Sequence, residues 1–384
     1  MRIGILIDEL ISGGFQKVAV METKYLQKLD YEVSLVVLHR TKNVGYLDII
    51  EENNLKVIYL SDRLPWFLKL NFHFPLFAFF SFFHVFYPLF IYRYIKNDEF
   101  DMFVTHGTYT AFSSIAISKK LGIPYICFDH DPIAYILPQK YQNKLLGKLL
   151  FFLMPLAKFL DRAIVSNAKA VIAFPDMIAE LRKIYPSYQN YHEIFNGCEI
   201  LSEDQLNYQR ENYAIAVTKW DQGKNFELLL EVWKQLESKI PLKIIGTFAR
   251  ENIRMEYDRA IRDAKLEGVI EIVGGVSEEA LRGYYKKATL LVHPCREAFG
   301  MTILEAAANR CPAIFTKNSG AAILFPKKIQ DYLPDENNAL EYRLAIEKIL
   351  AFQKDDYNEI VNQYWRVGQE NTWENHCRKI TCLF

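Results

Sequence analysis

The chain has 384 residues, with 46 lysines and arginines against 46 aspartates and glutamates, and 51% of its residues are hydrophobic. At roughly 100 to 200 residues per domain, this length predicts two or three domains with an ample core, which excludes a disordered chain and a small disulfide-stapled scaffold. The zero net charge argues against a protein whose whole surface binds nucleic acid.

In the first half of the chain, short apolar or β-branched runs alternate with longer helical patterns, as in α/β proteins with parallel sheets. Helices are predicted between these runs, for example over Lys17–Leu29 and Ala111–Leu121. The predicted strands are Ile3–Ile7, Glu32–Leu38, Lys56–Leu60, Met102–Thr105, Tyr125–Phe128, Val171–Ala173 and Glu193–Phe195.

The second half repeats this rhythm, so two similar α/β domains are predicted rather than one large sheet. The polar run 199–212 has no periodicity and follows the turn signal Asn196–Gly197, which places the junction there. We assign 1–198 to the first domain, with a C-terminal helix of about 366–384 packing back on it, and 199–365 to the second. The predicted strands of the second domain are Ala214–Thr218, Leu242–Ile245, Ile270–Val273, Leu290–His293 and Ala313–Phe315.

Cysteine spacing and the N-terminus indicate a reducing, cytoplasmic setting. The six cysteines form no CxxC pair and no Cys/His cluster with zinc spacing, so neither a metal site nor a redox motif is predicted. Asp8 and Glu9 interrupt what would be the apolar region of a signal peptide, and the first residues are interpreted as a β-strand instead.

Two apolar segments raise the question of a membrane. Phe74–Tyr92 is almost continuously apolar and is compatible with a buried helix over a sheet, an interfacial helix or a transmembrane span. Lys144–Lys158 mixes lysines with large apolar residues, as in a basic amphipathic helix or an ordinary surface helix. We expect peripheral membrane contact through 66–96 and 144–160, on the inner face of the membrane.

Glycines and lysines follow two of the predicted strands. Gly13–Gly14 lies between the first strand and a helix, where backbone amides and the helix dipole favour a phosphate or a sugar oxygen, although glycine also serves in an ordinary tight turn. Lys219 and Lys224 lie after the strand Ala214–Thr218, at the sheet edge where such folds bind ligands. They are either diphosphate ligands or solvated loop lysines. Neither a Walker loop nor a GxGxxG pattern occurs.

The most informative motif runs from Glu297 to Glu305, after the strand Leu290–His293. Its first carboxylate lies in a loop, Phe299–Gly300–Met301 offers amides where a helix begins, and its second carboxylate lies about one turn into that helix. Carboxylates bind sugar hydroxyls and helix-start amides bind phosphate, so one loop could bind both groups.

His130 follows the strand Tyr125–Phe128 and lies between Asp129 and Asp131. It therefore occupies a carboxyl-end position like the lysines of the second domain. A metal-binding DxD interpretation is disfavoured because further ligands are not apparent. His106, at the end of the preceding strand, is interpreted as structural.

Taken together, these motifs resemble the retaining nucleotide-sugar glycosyltransferases of family four. That family has the GT-B fold, in which two Rossmann-like α/β domains with parallel sheets face a central cleft. The resemblance extends over nearly the whole chain. It rests on Gly13–Gly14, His130, Asn196–Gly197, Lys219 and Lys224, 244–247, Glu297–Glu305 and Thr372–Trp373–Glu374.

The resemblance implies a role for each matching residue. His130, Glu297 and Lys224 would be catalytic, by positioning the reactants rather than attacking them. Glu305 would bind the ribose, Glu297 the transferred sugar and the lysines the diphosphate. The implied donor site comprises Gly14, Lys219, Lys224, Thr247, Glu297, Phe299, Gly300, Met301, Thr302, Ile303 and Glu305.

The chain departs from the family pattern in four places, one of which is Asn196–Gly197–Cys198–Glu199, where the family has an aspartate at the fourth position. Lys219 stands where arginine is usual, which removes a bidentate fork. Arg310 stands where glycine is common before the next strand, and Ser319–Gly320–Ala321–Ala322 lacks the acid of the usual Gly-Gly-x-x-Glu.

The implied activity is transfer of a hexose from a UDP- or GDP-sugar to a lipid-linked or cell-envelope glycan, with retention at the anomeric carbon. Lysines and helix-start amides would neutralise the diphosphate, so no metal and no cofactor are expected, and no nucleic acid is expected as a partner. Two alternatives stay open: a homologue that binds sugar nucleotides or membranes without turnover, and a hydrolysing sugar-nucleotide epimerase.

Overall fold

The computed structural model describes residues 1–42, 44–63, 88–95, 99–130, 132–135, 137, 151–201, 209–237 and 239–384. These residues form two compact units. The first comprises Met1–Phe195 and Trp373–Phe384, and the second comprises Asn196–Thr372. The divisions thus follow Phe195 and Thr372, whereas the sequence placed them after 198 and 365.

The first unit is built on a seven-stranded sheet with the order β3-β2-β1-β4-β5-β6-β7, in which every pairing is parallel. Its central strands are buried on both faces, which explains their continuous apolar runs. The strands are β1 (Arg2–Glu9), β2 (Glu32–His39), β3 (Val57–Tyr59), β4 (Met102–His106), β5 (Tyr125–Phe128), β6 (Ala170–Ala173) and β7 (Tyr191–Glu193).

Helices connect these strands, and the chain returns to this unit at its end. Short 3₁₀ segments cover Leu60–Arg63, Pro88–Tyr94 and Phe151–Leu153. The last helix, Trp373–Thr381, packs against the first, Gly14–Lys28. The helices of this unit are α1 (Gly14–Lys28), α2 (Leu47–Glu52), α3 (Thr108–Leu121), α4 (Met154–Asn167), α5 (Pro175–Ile184) and α13 (Trp373–Thr381).

The two segments considered for membrane contact are described only in part. Residues 64–87 lie outside the described residues, and they include most of Phe74–Tyr92. Residues 96–98 and 138–150 also lie outside them. Of the second segment, Phe151–Leu160 is described and forms a 3₁₀ turn and the start of α4. Among the described residues, no helix combines the length and the apolar composition needed to cross a bilayer.

The second unit is built on a five-stranded parallel sheet with the order β10-β9-β8-β11-β12. The buried indoles of Trp220 and Trp233 lie in its core, packed with the sheet and with Tyr342. The strands are β8 (Ala214–Val217), β9 (Leu242–Ile245), β10 (Ile270–Gly274), β11 (Leu290–His293) and β12 (Ala313–Phe315).

The helices of the second unit follow its strands, and a 3₁₀ turn covers Gly320–Leu324. The long helix that ends at Glu370 packs against the helix after β11, and Gly368 permits this because a Cβ there would lie 2.7 Å from the Cα of Ala308. The helices are α6 (Phe226–Gln235), α7 (Glu251–Asp263), α8 (Glu278–Lys287), α9 (Met301–Ala308), α10 (Lys327–Gln330), α11 (Ala339–Leu350) and α12 (Lys354–Glu370).

All twelve predicted strands are present, and the fold class is the predicted one, with two α/β units on parallel sheets. One strand is displaced, because β7 covers Tyr191–Glu193 and not Glu193–Phe195. The helical tail is interrupted at Asn371 and Thr372, between the last helix of the second unit and the returning helix of the first.

Candidate functional site

The loops after β8 and β9 are tied together at the carboxyl edge of the second sheet. The Trp220 amide donates to the Thr247 carbonyl at 2.8 Å, and the Trp220 indole donates to the Ile245 carbonyl at 2.9 Å. Gly246 has φ of +124°, and a Cβ on it would lie 1.9 Å from the Thr218 carbonyl oxygen. Only glycine permits this approach, which fixes the position of the loop that carries Lys219.

The loop after β8 is also bound to the loop after β11. Asn225 precedes α6 in a left-handed conformation, and its amide donates to the Pro294 carbonyl at 3.1 Å. Lys224 is thereby directed toward Glu297, and its Nζ lies 2.5 Å from Oε1 of that carboxylate. Two of the three predicted catalytic side chains are therefore in direct contact.

This ion pair is partly buried, with side-chain exposures of 21% for Lys224 and 27% for Glu297. Burial by itself lowers the pKa of Lys224, but the Glu297 carboxylate outweighs burial and holds that pKa above its ordinary value. Lys224 is therefore a positive charge at neutral pH, and it faces a position that is still open to solvent.

His293 and Cys295 lie beside the same carboxylate. His293 Nε2 and Cys295 Sγ are each 3.7 Å from Glu297 Oε1, and one ligand atom from each of the three residues fits within 4.8 Å of the others. Burial, followed by the Glu297 charge, raises the pKa of the Cys295 thiol to about 12. This group has metal-ligand chemistry that the spacing analysis missed, because the chain turns back between the strand end and the loop. Lys224 already provides a cation at the carboxylate.

The helix α9 begins directly after this loop. Its N-cap, Gly300, has φ of +99°, and no side chain caps the helix. The Ile303 amide already bonds to the Gly300 carbonyl at 3.1 Å, and the amides of Met301 and Thr302 make no backbone hydrogen bond within the described residues. Phe299 and Ile303 are buried and anchor the turn.

A second loop supports this turn from behind. The Gly320 amide donates to the Glu297 carbonyl at 3.1 Å, and the Ala321 amide donates to the Phe299 carbonyl at 2.7 Å. A Cβ on Gly320 would lie 2.0 Å from the Ala298 carbonyl oxygen. Ser319–Ala322 differs from the family pattern, but it keeps a glycine at position 320, where the close backbone contact requires one.

The second carboxylate of the motif, Glu305, lies on α9 with intermediate exposure. The buried Tyr285 hydroxyl donates to its Oε2 at 3.2 Å, from the neighbouring helix α8. Sequence reasoning missed Tyr285. The sequence did offer a sign of its role, because Tyr285 is a large aromatic residue within the polar helix α8, and it is the buried residue of that helix.

The other predicted donor residues of this unit are at its surface. Lys219 and Thr247 are both exposed, and Lys219 makes no ion pair with any residue that the structure describes. Arg310, where glycine was expected, has φ of +60°. The conformation therefore explains why glycine suits this position, and the arginine guanidinium lies 5.4 Å from the Trp365 ring centroid.

Two predicted site residues belong to the first unit. Gly14 begins α1, is exposed, and would meet nothing within 4 Å if it carried a Cβ. His130 stacks on Phe128, with ring centroids 4.3 Å apart and an angle of 8°. Burial, followed by the neighbouring His106, lowers the pKa of His130 to about 3, so its ring is neutral at physiological pH.

His106 is more than the structural residue that the sequence indicated. It is fully buried, its Nδ1 lies 3.1 Å from Nε2 of His130, and its Nε2 lies 2.7 Å from the Glu22 carboxylate. Sequence reasoning missed Glu22, although a glutamate on the apolar face of α1 was a usable signal.

Two family models match the sequence. The model of the glycosyl transferases group 1 matches residues 199–364, and the model of Glycosyltransferase Family 4 matches residues 12–199. No curated protein matches the sequence.

Solved structures with the same fold cover nearly the whole chain. HepE from Anabaena, in complex with UDP and glucose, has a TM-score of 0.73 and 14% identity, and the match covers 99% of this chain and 98% of that one. Sucrose-phosphate synthase from Thermosynechococcus elongatus has a TM-score of 0.73 and 17% identity, with 100% and 98% covered. WaaG, a glycosyltransferase involved in lipopolysaccharide biosynthesis, has a TM-score of 0.68 and 14% identity, with 98% of each chain covered. At these identities the likeness shows the GT-B fold.

Proposed function

Because the chain belongs to the family-four, group 1 glycosyltransferases, we propose that it transfers a hexose from a UDP- or GDP-sugar to a glycan or lipid-linked acceptor, with retention at the anomeric carbon and without a metal ion. The observation that carries the donor site is the contact between Lys224 and Glu297 beside the uncapped start of α9.

The proposed reaction requires the site to stabilise a diphosphate leaving group. As the sugar–phosphate bond breaks, negative charge grows on the phosphate oxygens. The Lys224 ammonium and the amides of Met301 and Thr302 are fixed groups of the right sign, and the dipole of α9 adds to them. Because an ammonium has three donors, Lys224 can bind a diphosphate while it keeps Glu297 Oε1, and the other oxygen of Glu297 accepts hydrogen bonds from sugar hydroxyls.

The second carboxylate suits the nucleoside. Glu305 lies about one turn into α9, and Tyr285 fixes one of its oxygens. A carboxylate in this position accepts two hydrogen bonds from a ribose diol. The UDP-glucose complex of HepE, which has the same fold, makes a UDP-sugar the first donor to test.

For the acceptor, the proposal of a membrane-associated substrate is supported by the 3₁₀ turn Phe151–Leu153 and the start of α4. Phe152 and Phe159 expose 84% and 65% of their surface, and Leu156 exposes 40%. Exposed Lys158 and Arg162 accompany them. Aromatic side chains beside basic ones suit the interface of an anionic bilayer.

Vesicle flotation tests this contact. We expect the protein to float with anionic vesicles, and the double variant Phe152→Ser/Phe159→Ser to lose most of that binding. The control Leu340→Ser/Leu344→Ser removes two exposed leucines of the second unit and should bind as the unaltered protein does. Equal binding by all three proteins would show that the exposed aromatic residues Phe152 and Phe159 do not contact the membrane.

The activity itself is tested by incubating the protein with UDP- and GDP-sugars and candidate acceptors, with and without excess EDTA. We expect acceptor-dependent nucleotide release that survives EDTA, with the product anomer matching that of the donor. Loss of activity in EDTA would overturn metal independence. Acceptor-independent release with a rearranged sugar would indicate an epimerase, and nucleotide binding without release would indicate a homologue that lacks turnover.

A further inference from the structure

A continuous chain of four buried or half-buried polar side chains runs through the first unit: His376, Glu22, His106 and His130. They come from α13, α1, the end of β4 and the loop after β5. We propose that His376, Glu22 and His106 are positioning residues that hold His130 in its neutral Nε2–H tautomer, so that its Nδ1 accepts a hydrogen bond from a hydroxyl of the sugar substrate. The last part of this statement rests on the function proposed above; the tautomer does not.

Both ring nitrogens of His376 face hydrogen-bond acceptors. Nδ1 lies 2.7 Å from the Phe195 carbonyl oxygen, and Nε2 lies 2.9 Å from Oε1 of Glu22. A carbonyl and a carboxylate only accept hydrogen bonds, so both nitrogens of His376 carry a proton. The ring is an imidazolium ion with an exposed fraction of only 2%.

Glu22 supplies the balancing charge. Burial alone raises the pKa of this carboxyl, but the hydrogen bonds that it accepts from His106 and His376 stabilise the carboxylate, and the pKa is held below its ordinary value. Glu22 is therefore ionised, and with His376 it forms a fully buried ion pair of zero net charge. A second buried cation in the same chain would have no counter-charge and would be costly, so His106 is neutral.

The positions of the ring protons on His106 and His130 then follow. Glu22 Oε2 accepts from Nε2 of His106 at 2.7 Å, which places the single proton of His106 on that nitrogen. Its Nδ1 is consequently a lone pair, and the group 3.1 Å away, Nε2 of His130, must donate. His130 is thus neutral with its proton on Nε2.

The ring geometry agrees with this hydrogen bond. The rings of His106 and His130 lie at 24° to each other, with centroids 5.4 Å apart, as expected when the two rings meet edge to edge. Phe128 stacks on the face of His130 and restricts its rotation. The Nδ1 atom of His130 has no hydrogen-bond partner within the described part of the chain, and as a lone pair it accepts from a hydroxyl but not from a carboxylate or phosphate.

Nitrogen NMR of the full protein labelled with ¹⁵N-histidine reads each tautomer directly. At neutral pH we expect a doubly protonated His376, and Nε2–H forms of both His106 and His130. Single variants His106→Gln, His130→Gln and His376→Gln assign the signals, and His192→Gln, at the surface, is the control. A neutral His376 or an Nδ1–H form of His130 would overturn the proposal.

A matched pair at Glu22 separates positioning from packing. Glu22→Leu removes the acceptor for His106, and we expect the His130 signal to shift toward a mixture of tautomers, with kcat about tenfold lower and KM for the donor nearly unchanged, as for one lost hydrogen bond. Glu22→Gln keeps an acceptor oxygen and an N–H donor. It should return His130 to the Nε2–H form and restore most of kcat, while His376 becomes neutral.

These measurements test the proposed function and the positioning of His130 separately. If the tautomers are as stated but no sugar is transferred, the proposed function is wrong and the positioning stands. If transfer occurs but Glu22→Leu leaves both the His130 signal and kcat unchanged, the positioning is wrong and the function stands.

Discussion

The ammonium of Lys224 lies 2.5 Å from the carboxylate of Glu297, although 73 residues separate them in the chain. Each charge is held in place by its loop, so the proposed donor site has both charges in position before any ligand arrives. Such preorganisation avoids a reorganisation cost during the reaction.

Lys224→Ala should lower kcat/KM for the sugar nucleotide by about 100-fold, because the mutation removes a fixed positive charge from the departing diphosphate. Steady-state nucleotide release measures this effect. Lys243→Ala breaks a comparable ion pair with Glu271, 2.9 Å long, elsewhere in the same unit and should stay within about twofold. Equal losses in both variants would contradict a specific role for Lys224.

Gly320→Ala should impair both stability and donor binding, because the new Cβ would overlap the Ala298 carbonyl and displace the loop that carries Glu297. We expect a loss of about 2 kcal/mol in the free energy of unfolding. Gly283→Ala is the matched control: it lies on α8 with nothing within 4 Å of its added Cβ, and alanine should stabilise that helix by up to about 1 kcal/mol. Urea unfolding distinguishes the two, and a stabilising Gly320→Ala would show that the loops do not need this contact.

Tyr285→Phe removes the hydroxyl that holds Glu305 and leaves the rest of the ring in place. Because Glu305 is assigned to the ribose, we expect KM for the sugar nucleotide to rise several-fold while kcat changes little. Tyr332→Phe, at a half-buried position of the same unit, serves as the control. A fall in kcat without a change in KM would place Glu305 at the reacting bond instead.

The stability of the first unit should respond to pH through His130. Its pKa is about 3 in the folded protein and near the ordinary 6.5 when unfolded, so only the unfolded chain takes up this proton between those values. The associated stability is complete above about pH 6.5 and declines as the pH falls. His130→Phe should therefore flatten the dependence of unfolding free energy on pH between 6.5 and 4.5, by up to about 1 kcal/mol per pH unit. Denaturant titrations at several pH values measure this slope, which His192→Gln should leave unchanged.

The sheets were predictable because buried parallel strands are short apolar runs between turn signals, and local sequence carries that information. Leu242–Ile245 and Leu290–His293 have the same bounds in both descriptions. β7 was displaced by two residues because its edge position leaves Glu193 exposed and weakens the apolar pattern.

The contacts between distant residues could not be predicted in this way. Glu22 meets His106 and His376 across separations of 84 and 354 residues, and no local pattern encodes such meetings. Likewise, the motif around Glu297 indicated a ligand site, but only the packing of loops shows that Lys224 and Cys295 share its carboxylate.

The return of α13 to the first unit has a consequence for synthesis of the protein. Glu22 is made early, but its counter-ion on His376 is made only after the whole second unit. Until then, a compact first unit would hold a buried carboxylate without its imidazolium partner, at a cost of several kcal/mol. The docking of α13 and the ion pair between Glu22 and His376 can therefore form only after the whole second unit has been synthesised.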